Sequence, residues 1–199
     1  LNTIDVAKEV QPHLFCSVPR IYEKVYSNFV SAIESKAVLR IGLKIPFISE
    51  LLKKKLKSAA GFGNLKFAIS GAAPINSKIL SLFQTLEIPL FEGYGMTENT
   101  AGATLNFIDN NKIGTVGKAL PNTQIKIAKD GEVLIKGDHV MKGYYRNDKA
   151  TSETIIDDWL YTGDVGTIDS DGYLSITGRK KEMQCHHVYG KKLDMYSVK

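Results

Sequence analysis

Four short stretches of this 199-residue chain join glycine to polar side chains where a run of apolar residues stops. The densest is Gly93-Tyr94-Gly95-Met96-Thr97-Glu98. Two glycines leave the tyrosine ring uncrowded, so its face can stack on a nucleobase. A hydroxyl and a carboxylate follow at once. Such a pair suits a phosphate with its magnesium ion, because Mg2+ takes oxygen ligands and phosphates together. An ordinary surface loop is the plainer alternative. Upstream, Ser70-Gly71-Ala72-Ala73-Pro74 sets small residues after a strand-like run, where a ligand can come close to the backbone. A tight strand-to-helix turn would use the same residues. Downstream, Tyr161-Thr162-Gly163-Asp164 puts a carboxylate beside glycine at what reads as a strand start. Acidic side chains so placed accept hydrogen bonds from ribose hydroxyls; a solvent-facing turn is the alternative. In Gly178-Arg179-Lys180-Lys181-Glu182 a glycine closes the last apolar run and charges begin, which also fits an exposed basic linker.

The elements that must position these groups follow from periodicity. Ile21, Val25, Phe29, Ile33 and Ala37 form an i, i+4 stripe just after Pro19, which predicts a helix over 21–39. Residues 65–70 read as a buried strand. A helix over 76–86 follows, with Asn76 as its N-cap, then a short strand over 88–91 that ends in Glu92-Gly93-Tyr94-Gly95. Strand, turn, helix and strand in this order argue for an α/β unit with a parallel sheet. Past Ile108 the texture changes to short alternating strands. Residues 124–128 and 132–136 flank Asp130-Gly131, a type I′ hairpin signal, and 165–168 and 173–177 flank Ser170-Asp171-Gly172, a second such hairpin. The expected organisation is an α/β part over 1–107, a small β-rich barrel-like subdomain over 108–179, and a hinge and tail over 180–199. No internal repeat or low-complexity tract is present.

Apolar residues make up 43% of the chain and charged residues 24%, which predicts a packed core. The formal net charge of +5 reads as dispersed, its one dense run being Lys53-Lys54-Lys55 with Lys57. That run is either a solvated helix face or a contact with acidic lipid or protein. No aromatic residues alternate with the lysines and no nucleic-acid-binding motif is present, so no nucleic-acid partner is expected. Cys16 and Cys185 give neither a disulfide framework nor a zinc spacing, which points to a reducing compartment. Cys185-His186-His187 resembles a metal cluster only superficially, since adjacent side chains diverge and no second pair follows. Residues 1–10 lack the character of a signal peptide, and no stretch reaches the roughly 20 apolar residues of a membrane span.

The order and separation of Gly-Tyr-Gly-Met-Thr-Glu, Tyr-Thr-Gly-Asp and Gly-Arg-Lys-Lys-Glu resemble the adenylate-forming (AMP-dependent synthetase/ligase) superfamily. That group includes acyl-CoA synthetases, luciferases and the adenylation domains of peptide synthetases. Residues 15–26, FCSVPRIYEKVY, resemble its long-chain fatty-acyl-CoA synthetase branch, and the likeness runs from about residue 5 to Met183. The resemblance implies an α/β adenylation domain with a β-rich barrel-like subdomain. It further implies that ATP activates a long-chain fatty acid to an acyl-adenylate, which coenzyme A then takes as acyl-CoA. Tyr94, flanked by Gly93 and Gly95, would stack on adenine, with Gly71, Ala72 and Ala73 lining the nucleotide and acyl pocket. Thr97 would bond the α-phosphate and Glu98 would hold Mg2+, these two being the catalytic pair. Asp164 would grip the ribose hydroxyls with help from Arg179, and Lys181 would be the hinge for a swinging C-terminal domain. Tyr94, Thr97, Glu98 and Asp164 would thus serve one adenosine phosphate. A cytoplasmic location with peripheral contact to an intracellular membrane would suit a fatty-acid substrate.

The chain also departs from the family pattern. It begins at Leu1, without the Gly/Ser/Thr-rich phosphate loop expected upstream, and after Met183 nothing resembles the small lysine-bearing domain. Lys191, Lys192 and Lys199 lack the context of the family's catalytic lysine, so none is assigned. The expectation is a fragment that is inactive alone. Two other functions stay open: an adenylating enzyme for another carboxylic acid, and a non-catalytic AMP- or acyl-binding pseudoenzyme.

Overall fold

A computed structural model describes residues 2–182; the Cys185-His186-His187 cluster, the atypical tail over 184–199 and Lys191, Lys192 and Lys199 lie outside the described residues. The chain forms two compact units. One is built from Leu1–Gly95 and Leu105–Gly117, the other from Met96–Thr104 and Lys118–Lys199. Two-residue strands at Thr104–Leu105 (β4) and Lys118–Ala119 (β5) mark places where the chain passes from one unit to the other.

The first unit opens with helix α1 (Thr3–Val10), whose first turn is capped by the Asn2 side chain accepting from the Ile4 N–H. Strand β1 (Leu14–Ser17) follows, a short element that the sequence does not announce because Leu14-Phe15-Cys16 is an unbroken apolar run, although burial along it alternates, with Leu14 exposed and Phe15 half-buried. The Tyr22 hydroxyl lies 2.9 Å from the Phe15 carbonyl and 3.0 Å from that of Ile69, at the seam between β1 and its neighbour. Helix α2 (Pro19–Ser35) starts with proline at its first position, where the missing N–H costs nothing. It buries Tyr22, Val25 and Phe29, but the predicted extension to residue 39 fails. Ile33 is only half-buried and Ala37 is exposed, and the Ser35 hydroxyl bonds back to the Ala32 carbonyl. With nothing left to bury, the helix stops, Lys36 turns extended, and short α3 (Ala37–Gly42) begins. Helix α4 (Pro46–Ala59) carries the lysine run. The run splits: Lys53 pairs with Glu87 and Glu50, and Lys57 Nζ reaches the Glu87 carbonyl, while Lys54 and Lys55 face solvent.

Strand β2 (Phe67–Ser70), helix α5 (Ser77–Thr85) and strand β3 (Leu90–Tyr94) complete the unit. Asn76 caps α5 as expected, accepting from the Lys78 N–H at 2.9 Å. The three strands are parallel, in the order β1-β2-β3, with Ser17 opposite Ser70 and Ser70 opposite Glu92. β3 starts later and runs further than the sequence predicts. Glu92, Gly93 and Tyr94 belong to the strand, and the Asn106 N–H donates to the Glu92 carbonyl at 2.9 Å, which keeps the backbone extended there. The core gathers Phe83, fully buried, against the rings of Tyr22, Phe29 and Phe62.

The second unit is a curled antiparallel sheet, so the chain is an α/β arrangement followed by a β-rich, barrel-like one. Its strands are β6 (Gln124–Ile127), β7 (Glu132–Lys136), β9 (Trp159–Ile168) and β10 (Leu174–Arg179), in the order β10-β9-β7-β6. Helix α6 (Asp148–Thr154) leads into β8 (Ile155–Ile156), which pairs with β9. Both hairpins lie where Asp-Gly predicts them, but neither turn is type I′. Gly131 alone takes a left-handed backbone (φ 86°), its N–H donating to the Ala128 carbonyl, and Ala128 N–H donates to Glu132. Gly172 (φ 84°), Asp169 and Tyr173 repeat the pattern. A three-residue loop needs one left-handed residue rather than two, so glycine supplies it and the aspartate stays unstrained.

Candidate nucleotide site

In the first unit the candidate residues lie at the carboxyl ends of the parallel strands, where α/β sheets bind ligands. Gly71 follows β2, and a β-carbon there would come within 3.6 Å of the Gly93 carbonyl, so the turn runs close beside β3. Ala72 adopts a left-handed backbone (φ 66°), and Ala72 and Ala73 are exposed. Gly93, Tyr94 and Gly95 are half-buried. Beneath them sit two buried polar groups that the sequence reading passed over. The Ser70 hydroxyl and one Glu92 carboxylate oxygen make no hydrogen bond among the described residues. Partners in register on parallel strands project to the same face, so Ser70 and Glu92 form a polar floor at this end of the sheet. Burial pushes the Glu92 carboxyl up to about 7, and the backbone N–H groups of Ile75 and Gly114 offset part of that rise. The signal was present in the sequence: a lone carboxylate inside the apolar run Leu90-Phe91-Glu92.

In the second unit Thr97, Glu98 and Asn99 form a 3₁₀ turn, locked when the buried Asn99 side chain accepts from the Met96 N–H at 2.7 Å. Thr97 is exposed, whereas Glu98 is half-buried. The Tyr144 hydroxyl donates to Glu98 Oε1 at 2.8 Å, and the Met141 N–H donates to the Glu98 carbonyl at 2.7 Å. This bond to the carboxylate, with burial second, raises the pKa of the Tyr144 hydroxyl. Tyr144 was not foreseen; its only sequence signal is an aromatic residue directly after Gly143. Among the described residues no cluster of three or more His, Cys, Asp or Glu could by itself hold a metal ion. A single carboxylate oriented through one of its oxygens fits a magnesium ion that arrives with phosphates.

Asp164 is buried in the interior of β9, not at a strand start. Its Oδ1 lies 2.9 Å from Nε of Arg179, its direct cross-strand partner, whose side chain stays largely exposed. The backbone around it is irregular. The register against β7 shifts between Glu132 and Leu134, and Gly163 takes a left-handed φ of 72° with open space where a β-carbon would stand. The Thr162 hydroxyl donates to the Val133 carbonyl at 2.7 Å and accepts from the Asp164 N–H at 3.1 Å. Glu132, buried, accepts from the Gly163 N–H at 2.8 Å through Oε1 and from Lys180 Nζ at 2.7 Å through Oε2. Lys180 also pairs with Asp130 at 2.7 Å, and these two acids, Asp130 foremost, raise its pKa. Lys181, the predicted hinge residue, is exposed directly after this anchor. Glu132 and Lys180 were missed, although a charge opening the strand Glu132-Val133-Leu134-Ile135 is a readable sign of a buried partner.

The AMP-binding enzyme family matches residues 2–145, more than half of the chain. The chain belongs to this family. Among curated relatives of this AMP-binding chain, the long-chain-fatty-acid–CoA ligase FadD15 of Mycobacterium bovis is 35% identical over 92% of the chain and 34% of its own length. The 2-succinylbenzoate–CoA ligase of Listeria innocua is 38% identical over 70% of the chain and 31% of its own length. The chain spans about a third of the length of the curated relatives it matches. Among solved structures, apo MatB of Rhodopseudomonas palustris superposes with a TM-score of 0.67 at 27% identity, over 90% of this chain and 34% of that one. The MenE synthetase of Bacillus subtilis, solved with ATP and a magnesium ion, gives 0.56 at 29% identity over 59% and 27%.

Proposed function

We propose that the chain is the part of an AMP-forming acyl-CoA ligase that holds the nucleotide, and that the substrate of the whole enzyme is a long-chain fatty acid. The observation that carries this reading is the family match together with Glu98 held by Tyr144 and Asp164 held by Arg179. In the first half-reaction a fatty-acid carboxylate oxygen attacks the α-phosphorus of ATP; the bond to the bridging oxygen breaks and pyrophosphate leaves with the electron pair. In the second, the thiolate of coenzyme A attacks the acyl carbon and AMP departs. Positioning and charge neutralisation are most of what a protein contributes to such transfers. Tyr94 stacks on adenine, with Gly93 and Gly95 giving its ring room, and Gly71, Ala72 and Ala73 offer backbone to the ligand. Asp164 accepts from the ribose hydroxyls, assisted by Arg179. Thr97 bonds the α-phosphate, and Glu98, oriented by Tyr144, would hold Mg2+, which would supply charge for the developing oxyanions.

In the whole enzyme, Glu98→Ala should slow ATP–pyrophosphate exchange on the order of 10²-fold. Tyr144→Phe should produce a smaller loss in the same assay, because it removes only the bond that orients Glu98 Oε1. An unchanged exchange rate in Glu98→Ala would remove Glu98 from the machinery. A second reading, an adenylating enzyme for another carboxylic acid, is favoured by the 2-succinylbenzoate ligase among the relatives. Competition by fatty acids of graded length against aryl acids separates the two.

A further inference from the structure

Helices α3 and α4 carry a feature that nucleotide chemistry leaves unused. Six of the fifteen exposed large apolar side chains among the described residues fall between Val38 and Leu51: Val38, Ile41, Ile45, Phe47, Ile48 and Leu51, with Phe47 92% exposed. The same segment overturns the reading of the chain's positive charge as dispersed. Over 36–58 stand seven basic residues and one acid, a net +6 against +5 for the whole chain, so the remainder is close to neutral.

The charges and the apolar groups share one surface. On α4 the buried or half-buried positions are Ser49, Leu52 and Leu56, and Lys53 and Lys57 turn inward to Glu87. The opposite face, by helical spacing, holds Phe47, Leu51, Lys54 and Lys55. Gly42 lets α3 and α4 touch: a β-carbon there would lie 2.6 Å from Leu52 Cδ1 and 3.1 Å from Ile48 Cγ2. Lys36, Arg40, Lys44, Lys54 and Lys55 are exposed without an ion pair among the described residues, and the one acid, Glu50, is 3.5 Å from Lys53.

We propose that α3 and α4 form a docking surface for an anionic lipid bilayer, with Phe47 and Leu51 entering the headgroup boundary and the five exposed cations meeting lipid phosphates. Charge complementarity selects this occupant. A second copy would set one cationic face against another, and an apolar protein partner would leave the cations unmatched. Nucleic acid would satisfy the cations but strand six apolar groups. Helices with apolar and basic residues on one exposed side lie in the interface plane. No helix among the described residues is long and apolar enough to cross a membrane. The inference stands apart from the ligase reading, because it uses none of the residues given nucleotide roles.

The test is co-sedimentation of the full chain with phosphatidylcholine vesicles, with and without phosphatidylserine. Binding is expected only with phosphatidylserine and should weaken as salt is raised, because salt screens the exposed cations. Phe47→Ser/Leu51→Ser and Lys54→Glu/Lys55→Glu should each lower association about tenfold or more. Lys129→Glu, an exposed charge reversal in the β6–β7 loop, should leave it unchanged. All these positions are exposed, and circular dichroism of each variant checks folding. Equal binding to neutral vesicles, wild-type binding by both double variants, self-association through this face, or retention only on short DNA would each overturn the proposal.

Discussion

Glu92 is a buried carboxyl whose environment differs from water. Its carboxyl is 8% exposed and lies opposite the buried Ser70, and burial lifts its pKa from 4.5 to about 7. The native state therefore holds this proton more tightly than the unfolded chain does. The contribution to stability is fully present below about pH 4.5 and is lost as pH rises through about 7. Between pH 5 and pH 8 the protein should lose on the order of 3 kcal/mol relative to its Glu92→Gln variant, which has no proton to release. Urea unfolding of both proteins at the two pH values checks this, and a difference that stays constant with pH would mean that Glu92 does not titrate in this window. Residue types marked out candidates more readily than burial could be read. Thr97, Glu98 and Asp164 stood out because carboxylates and hydroxyls beside glycine are conspicuous. The roles of Tyr144 and Lys180 were hidden because their partners lie dozens of residues away, whereas Glu132 left a sign in the charge that opens an apolar strand.

At the level of elements, Lys180 joins three parts of the β-rich unit. Lys180, the residue after β10, bridges Asp130 in the β6–β7 loop and Glu132 at the start of β7, and Glu132 in turn holds the Gly163 N–H next to Asp164. Lys180→Met would leave the Glu132 carboxylate, 5% exposed, with one backbone donor. The expected cost is about 1–3 kcal/mol, at the low end because the lysine side chain is itself 37% exposed and partly screened. Asp130→Asn should cost less, since its carboxylate is half exposed and returns to water when unpaired. Equal losses in thermal melts of the two variants would show that Glu132 does not depend on Lys180. The positions of these hairpins were readable from Asp-Gly, but their turn type was not, because the two-residue and three-residue loops use the same dipeptide. The end of α2 was equally hidden: an apolar stripe says which face can be buried, and only the fold decides how far there is something to bury it against.

For the molecule as a whole, stability and ligand binding are separable quantities, and Phe83 is the place to separate them. It is fully buried and meets Tyr22, Phe29 and Phe62 ring to ring behind the strands that carry Ser70 and Glu92. Phe83→Ala should cost about 3–5 kcal/mol, through lost burial and the cavity left behind. That is a large part of the roughly 5–15 kcal/mol that holds a typical domain folded. A nucleotide that binds only the native state adds RT ln(1 + [L]/Kd), about 2.7 kcal/mol at a hundredfold excess over Kd, whatever the starting stability. The rings that Phe83 meets, Tyr22, Phe29 and Phe62, are given no nucleotide role. The AMP-induced increment, read from urea unfolding at matched saturation, should therefore be the same in wild type and Phe83→Ala while the baselines differ. A smaller increment in the variant would mean that the aromatic core sets the shape of the site as well as the stability of the sheet beneath it.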